Sequence, residues 1–278
     1  FSVFMDKQPN GKALYTSAGE GEHMTFGNAR KVVNIIDMSQ NHEQATVKAL
    51  LKLTNPSSNN ELVHVAYGVV KLAGGTLSGR QGGWLGKDRN YTADDLLEEA
   101  IKKTIDKTSQ SKKLEGKEVE ETARLVALAA IKFEYLKVSP EKEIVFSWDN
   151  ALNLEANSGP YVLYTYARAQ HILEKGSYKQ EELLDEDYAQ IGRGVELELI
   201  KQIGRATEVF ESVGKDYRPN TIADYVLELS SLFSKFYEQE PVIKGGEARK
   251  VRLAIVYAVK QTIENALKIL GIKTARAL

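Results

Sequence analysis

The chain has 278 residues, 37 basic against 38 acidic side chains, a net charge of −1 and no cysteine. That length predicts about two domains, each able to bury its own core. The composition excludes disulfide frameworks, thiolate metal sites and cysteine nucleophiles, and it excludes a global basic field, so any nucleic-acid contact must come from local patches.

In chain order, the start Phe1-Ser2-Val3-Phe4-Met5 has no signal-peptide pattern. No later apolar run approaches the ~20 residues of a membrane span, so a cytoplasmic protein without membrane contact is expected. Opening on Phe1 rather than methionine reads as a cut from something longer. Val32-Val33-Asn34-Ile35-Ile36-Asp37 is a short β-branched run suited to a buried parallel strand. Next, Glu43–Leu53 predicts a helix with Thr46, Ala49, Leu50 and Leu53 on one face. Asn55–Asn60 is a turn, and Leu62–Val70 predicts a second strand. Strand, helix and strand make one βαβ unit, whose ligands bind beyond the carboxyl ends of the strands. Polar clusters sit at both ends: Asp37–His42, and the glycine-rich stretch Lys71–Gly83. The second carries Lys71, Ser78, Gly79, Arg80 and Gly82, which suits a phosphate cradle as well as an ordinary glycine turn.

From Ala93 onward the pattern is helical. Helices are predicted over Leu96–Lys107, Glu120–Leu136 (with Ala123, Val126, Ala127 and Ala130 inward), Pro160–Lys175, Asp187–Val213, Pro219–Gln239 and Glu247–Leu270. Together they make an all-α bundle. Asn157-Ser158-Gly159-Pro160 reads as a helix start. On the helix that follows, Val162, Tyr166, Ala169 and Leu173 form the apolar stripe. Tyr161, Tyr164, Arg168, His171 and Lys175 line another face. Aromatics interleaved with cations suit base stacking and phosphate pairing. They equally suit packing on a neighbouring helix, with Arg168 paired to a carboxylate.

The stretch Leu154–Leu173 resembles the junction into the anticodon-binding helical domain of arginyl-tRNA synthetases. Arg218-Pro219, Asp224–Leu229 and Phe233–Tyr237 resemble that domain's central helix, and Arg252-Leu253 with Leu267–Ile272 resembles its last. Upstream, His64–Val70 followed by Thr76–Gly82 is similar to the family's last catalytic strand and KMSKS-type loop. The style, with Ser78-Gly79-Arg80 in the loop and Asn34-Ile35-Ile36-Asp37 in the earlier strand, looks archaeal.

The resemblance implies an α/β plus all-α fold: a partial Rossmann-like nucleotide-binding unit (1–95), a helical connector (96–155) and an anticodon-binding bundle (156–278). It implies an ATP-dependent arginine–tRNA ligase that acts as a cytoplasmic monomer, with magnesium carried by ATP. Ser78, Arg80 and Lys71 would be catalytic. Gly79, Gly82 and His64 would serve ATP, and Tyr15 and Gln40 would serve arginine. Tyr161, Tyr164 and Arg168 would contact tRNA.

The chain also departs from the family pattern. Thr76 and Gly79 stand where the loop's lysines would be. Gly19 stands four positions after Tyr15, where the family carries an acidic residue, with Glu20 as a replacement after a gap. No HIGH-type His-x-Gly-His element occurs. A fragment lacking that half is therefore expected, and an inactive paralogue binding tRNA or a protein partner is the alternative.

Overall fold

The computed structural model describes residues 2–7, 13–18, 31–54, 61–72, 75–76, 92–108, 117–180 and 183–274. The chain divides into two compact units, Phe1–Lys71 with Pro140–Ile144, and Leu72–Ser139 with Val145–Leu278.

The first unit is built on a four-stranded sheet in the order β2-β1-β3-β4. Strands β1 (Ser2–Lys7) and β2 (Ala13–Ala18) form an antiparallel pair that the sequence reading did not anticipate. Strand β1 also runs antiparallel to β3 (Lys31–Asp37). As expected, β3 lies parallel to β4 (Glu61–Tyr67), and helix α1 (Asn41–Thr54) connects them. The register sets Asn34 beside His64 and Asp37 beside Tyr67.

Side chains alternate across the two faces, and α1 covers the face of Val32 and Leu62 with Leu51. It is tied there by Asn34, whose side-chain nitrogen donates to Gln44 Oε1 at 2.9 Å. The helix is therefore turned away from its expected face. Gln44 and Leu51 point inward, whereas Thr46, Ala49, Leu50 and Leu53 are exposed, Leu53 at 76%. One helix on a sheet buries only the stripe that touches it.

Strand β4 also stops short of the expected Val70. At Gly68 the chain turns aside: its N–H donates to Pro140 O at 2.8 Å, and a Cβ there would overlap the Lys142 carbonyl. Ile144 N–H donates to Val69 O at 3.0 Å. The short strands β5 (Val70–Leu72), β6 (Gly75–Thr76) and β7 (Ile144–Phe146) make a second small sheet, ordered β6-β5-β7.

The second unit is helical. Helix α2 (Ala93–Thr108) buries Leu96, Ala100 and Thr104 at four-residue steps, and α3 (Lys117–Leu136) buries the predicted Ala123, Val126, Ala127 and Ala130. A short α4 (Trp148–Ala151) precedes α5 (Gly159–Lys175). Ser158 caps α5: its Oγ accepts from Tyr161 N–H at 3.0 Å and donates to Asn153 O, with Pro160 in the first turn. Gly159 lets α5 cross close to α3, since a Cβ there would overlap Ala129 O and come within 2.9 Å of Phe133 Cβ. Lys137 braces the junction, pairing with Glu134 at 2.6 Å and donating to Asn157 O at 3.0 Å. Burial is the main influence on the Glu134 carboxyl and pushes its pKa up, against the opposing pull of Lys137.

The single helix expected over Asp187–Val213 is three: α6 (Asp185–Tyr188), α7 (Val195–Gly204) and α8 (Ala206–Asp216). Gly192-Arg193-Gly194 makes the first break, with Gly194 at φ +85°, a conformation an L side chain resists. Helix α9 (Pro219–Gln239) buries Ile222, Tyr225, Val226, Leu229, Phe233 and Phe236 as its 3.6-residue period predicts. Helix α10 (Arg249–Ile269) is followed by Gly271 at φ +66°, a left-handed stop.

A partly buried ionic cluster locks this end of the bundle. Arg252 Nε donates to Glu196 Oε1 at 2.5 Å, its Nη2 donates to Glu240 and its Nη1 donates to Pro241 O at 3.2 Å. Glu196 is fully buried and also accepts from Gly192 N–H. One guanidinium thus joins α7, the end of α9 and α10.

Candidate functional site

In the first unit the carboxyl ends of β3 and β4 carry the polar groups. Asp37 caps a 3-10 turn (Met38–Gln40), its Oδ1 accepting from Ser39 N–H at 2.8 Å. Hydrogen bonds from Ser39 hold the Asp37 carboxyl below its ordinary pKa. Gln40 ends that turn and is exposed. This edge therefore offers a carboxylate and a free amide, a pair suited to a cationic, hydrogen-bond-donating ligand rather than to phosphate. His64 lies mid-strand in β4, half-buried, with Nε2 3.3 Å from Ile36 O. A carbonyl only accepts, so Nε2 is the donor in this contact. Tyr15 lies in β2, in register with Met5.

Lys71 follows in β5, where its ammonium pairs with Glu143 at 2.8 Å. A cation held by a carboxylate must exchange partners before it can meet a phosphate. Ser78, Gly79, Arg80 and Gly82 lie outside the described residues, as do Gly19 and Glu20.

In the second unit, the face proposed for RNA is part core and part surface. Tyr161 is half-buried and packs against the hydrophobic core. Tyr164 and Arg168 are one helical turn apart, and Arg168 Nη2 donates to Tyr164 Oη at 2.9 Å. The guanidinium carbon lies 4.7 Å from the Tyr164 ring centre and 5.5 Å from that of Tyr237 on α9. Arg168 thus lies against the rings of two exposed tyrosines, and among the described residues no carboxylate pairs with it. Tyr164 is 41% exposed and Tyr237 44%. The sequence reading did not single out Tyr237 as a site residue. Its signal was an aromatic in the last turn of α9, off the stripe of Phe233 and Phe236. His171 and Lys175 are also exposed.

Comparison with known proteins places both halves. Residues 9–148, half of the chain, match the family model described as tRNA synthetases class I (R), catalytic domain. The chain belongs to this class I arginyl-tRNA synthetase family. Residues 162–278 match the DALR anticodon binding domain, so the Tyr164–Arg168–Tyr237 cluster falls inside that second match.

Among curated relatives in the arginyl-tRNA synthetase family, the arginine–tRNA ligase of Pyrococcus abyssi is 39% identical over 272 residues, covering 96% of this chain and 43% of the relative. That of Thermococcus kodakarensis is 37% identical over 270 residues, covering 93% and 41%. The solved Thermus thermophilus arginyl-tRNA synthetase superposes with a TM-score of 0.80 at 29% identity, covering 99% of this chain and 46% of that one. The Plasmodium falciparum arginyl-tRNA synthetase, at 24% identity and a TM-score of 0.75, shares the fold, over 90% of this chain and 42% of that one. The chain spans less than half the length of the curated relatives it matches.

Proposed function

We propose that the protein carrying this chain is an arginine–tRNA ligase. The arginine carboxylate attacks the α-phosphorus of ATP, forming an arginyl adenylate and releasing pyrophosphate. A terminal ribose hydroxyl of tRNA then takes the arginyl group and AMP leaves. Catalysis of this kind is mostly positioning and charge stabilisation. The observation that carries the reading is 39% identity to an arginine–tRNA ligase across 96% of the chain.

In this reading residues 1–95 belong to the catalytic part, 96–155 connect, and 156–278 bind the anticodon region. Gln40 hydrogen-bonds arginine together with Tyr15, and Asp37 favours its positive charge. Ser78, Gly79, Arg80 and Gly82 serve the ATP phosphates and their magnesium, together with His64 on β4 and Lys71 on β5. Tyr161, Tyr164 and Arg168 meet tRNA bases and phosphates. The protein works as a cytoplasmic monomer.

The deciding experiment is ATP–pyrophosphate exchange on the full-length protein, with and without tRNA. Arginine-dependent exchange supports the reading, and its absence under both conditions sinks it. Thr76 and Gly79, at the positions of the loop lysines, favour a second reading, an inactive paralogue. Selective tRNA binding without any exchange would select that one.

A further inference from the structure

A groove of about 370 Å³ opens between α3 and the segment that follows α10. Its size falls in the range of about 300–1,000 Å³ typical of ligand sites. The inward face of α3 is the alanine and valine stripe already described. Leu125 and Leu128 line the groove from α3 beside the buried Ala129, Ile272 lines it from the following segment, and Arg124, Lys132 and Lys273 add the cations. Gly271, with its positive φ, turns its carbonyl to accept from Lys132 Nζ at 2.6 Å, which fixes the rim. Arg124 and Lys273 are exposed and have no partner among the described residues. Glu121 is the one acid in the lining, so three cations face a single carboxylate in a chain whose net charge is −1.

We infer that this groove is an RNA-backbone subsite, in which Arg124 and Lys273 neutralise phosphate while the apolar floor takes the face of an unstacked base. The inference rests on the ligase reading above. Two further observations support it. The groove belongs to the same compact unit as the Tyr164–Arg168–Tyr237 cluster. It is also lined from both family matches, α3 within residues 9–148 and Gly271–Lys273 within 162–278. Here α3 and the segment after α10 bring the two matched regions side by side, and the unpaired Arg124 and Lys273 stand on either side of that junction. A guanidinium from α3 and an ammonium from the following segment suit a phosphodiester, and the leucines between them offer an apolar surface to a base.

The test measures binding of an arginine-tRNA transcript to the full-length protein across a salt series, for wild type, Arg124→Gln, Lys273→Gln and the charge-matched control Lys215→Gln. Lys215 is exposed on α8. Each groove variant is expected to weaken binding about threefold or more at low salt and to lower the salt slope by about 1, the signature of one lost phosphate contact. Thermal stability should stay unchanged. Intact binding with groove variants indistinguishable from Lys215→Gln overturns the groove alone. A wild type that binds no tRNA overturns both the ligase reading and the groove.

Discussion

Arg168 and Tyr237 meet across two helices, the guanidinium 5.5 Å from the ring centre. With its hydrogen bond to Tyr164, the contact holds the guanidinium beside both rings while leaving the two tyrosines partly open to solvent.

If that surface reads RNA, Tyr237→Ala should weaken binding of arginine tRNA by about 1–3 kcal/mol, the usual worth of one base–aromatic stack. Thermal unfolding should move little, because the ring is half exposed. A titration showing unchanged affinity would remove Tyr237 from the interface.

Arg252→Met should be among the most damaging single changes in the helical unit. It strands the fully buried Glu196, at a cost of about 3–5 kcal/mol. The double variant Arg252→Met/Glu196→Met should recover much of that loss, because no buried charge is left unpaired. Chemical denaturation of the two variants makes the comparison, and a double variant no better than the single one contradicts it.

Gly159→Ala pits two effects against each other. Alanine gains up to about 1 kcal/mol in helix propensity, but its Cβ would overlap Ala129 O across the α3–α5 crossing. Overpacking of that kind costs about 1–3 kcal/mol, so net destabilisation is expected. A melting temperature at or above wild type would show that the crossing has room.

Tyr225 predicts an alkaline limit. Burial pushes its phenol up to about 12 from an ordinary value of 10.0, and its hydroxyl donates to Gln202 O at 2.9 Å. The unfolded chain loses the proton first, so this stabilisation is complete below pH 10 and fades as the pH rises towards 12. Tyr225→Phe should lose roughly 1 kcal/mol at neutral pH through the unmade hydrogen bond. It should also flatten the fall between pH 10 and 12. Equal alkaline slopes for the two proteins would exclude Tyr225 as the source.

Lys71 and Glu143 give a kinetic contrast. Their ion pair is exposed, so Glu143→Gln should change stability by less than about 1 kcal/mol. If Lys71 serves the ATP phosphates, freeing it should lower KM for ATP in the exchange reaction of the full-length protein while kcat holds. An unchanged KM would assign Lys71 to strand anchoring alone.

The helical unit was largely legible from sequence because its helices bury one continuous stripe each. In α9 the residues on the 3.6-residue apolar period are the buried ones, Ser158 opens α5 as its chemistry dictates, and Gly271 follows α10 in the left-handed region. Helix α1 was less legible. It carries apolar residues on more than one side, and the sheet face, with Asn34 holding Gln44, decided which side turned in. The run Asp187–Val213 misled because its apolar period continues through Gly192 and Gly194, whose backbone freedom breaks the helix. At the candidate RNA face, Tyr164 and Arg168 could be read from spacing along one helix. Tyr237 could not, since its place beside them depends on how α9 packs on α5.

The close approach at Gly68 also governs how this protein can be divided. The segment Pro140–Ile144 returns to the first unit after the chain has built α2 and α3, and gives that unit a partner for Gly68 N–H, a donor for Val69 O and a counterion for Lys71. A piece cut from the N-terminal side at any point before Pro140 would expose all three groups at once. Excision of a self-sufficient N-terminal half therefore requires grafting residues 140–144 back on, whereas a C-terminal piece beginning after Ile144 leaves that return strand behind.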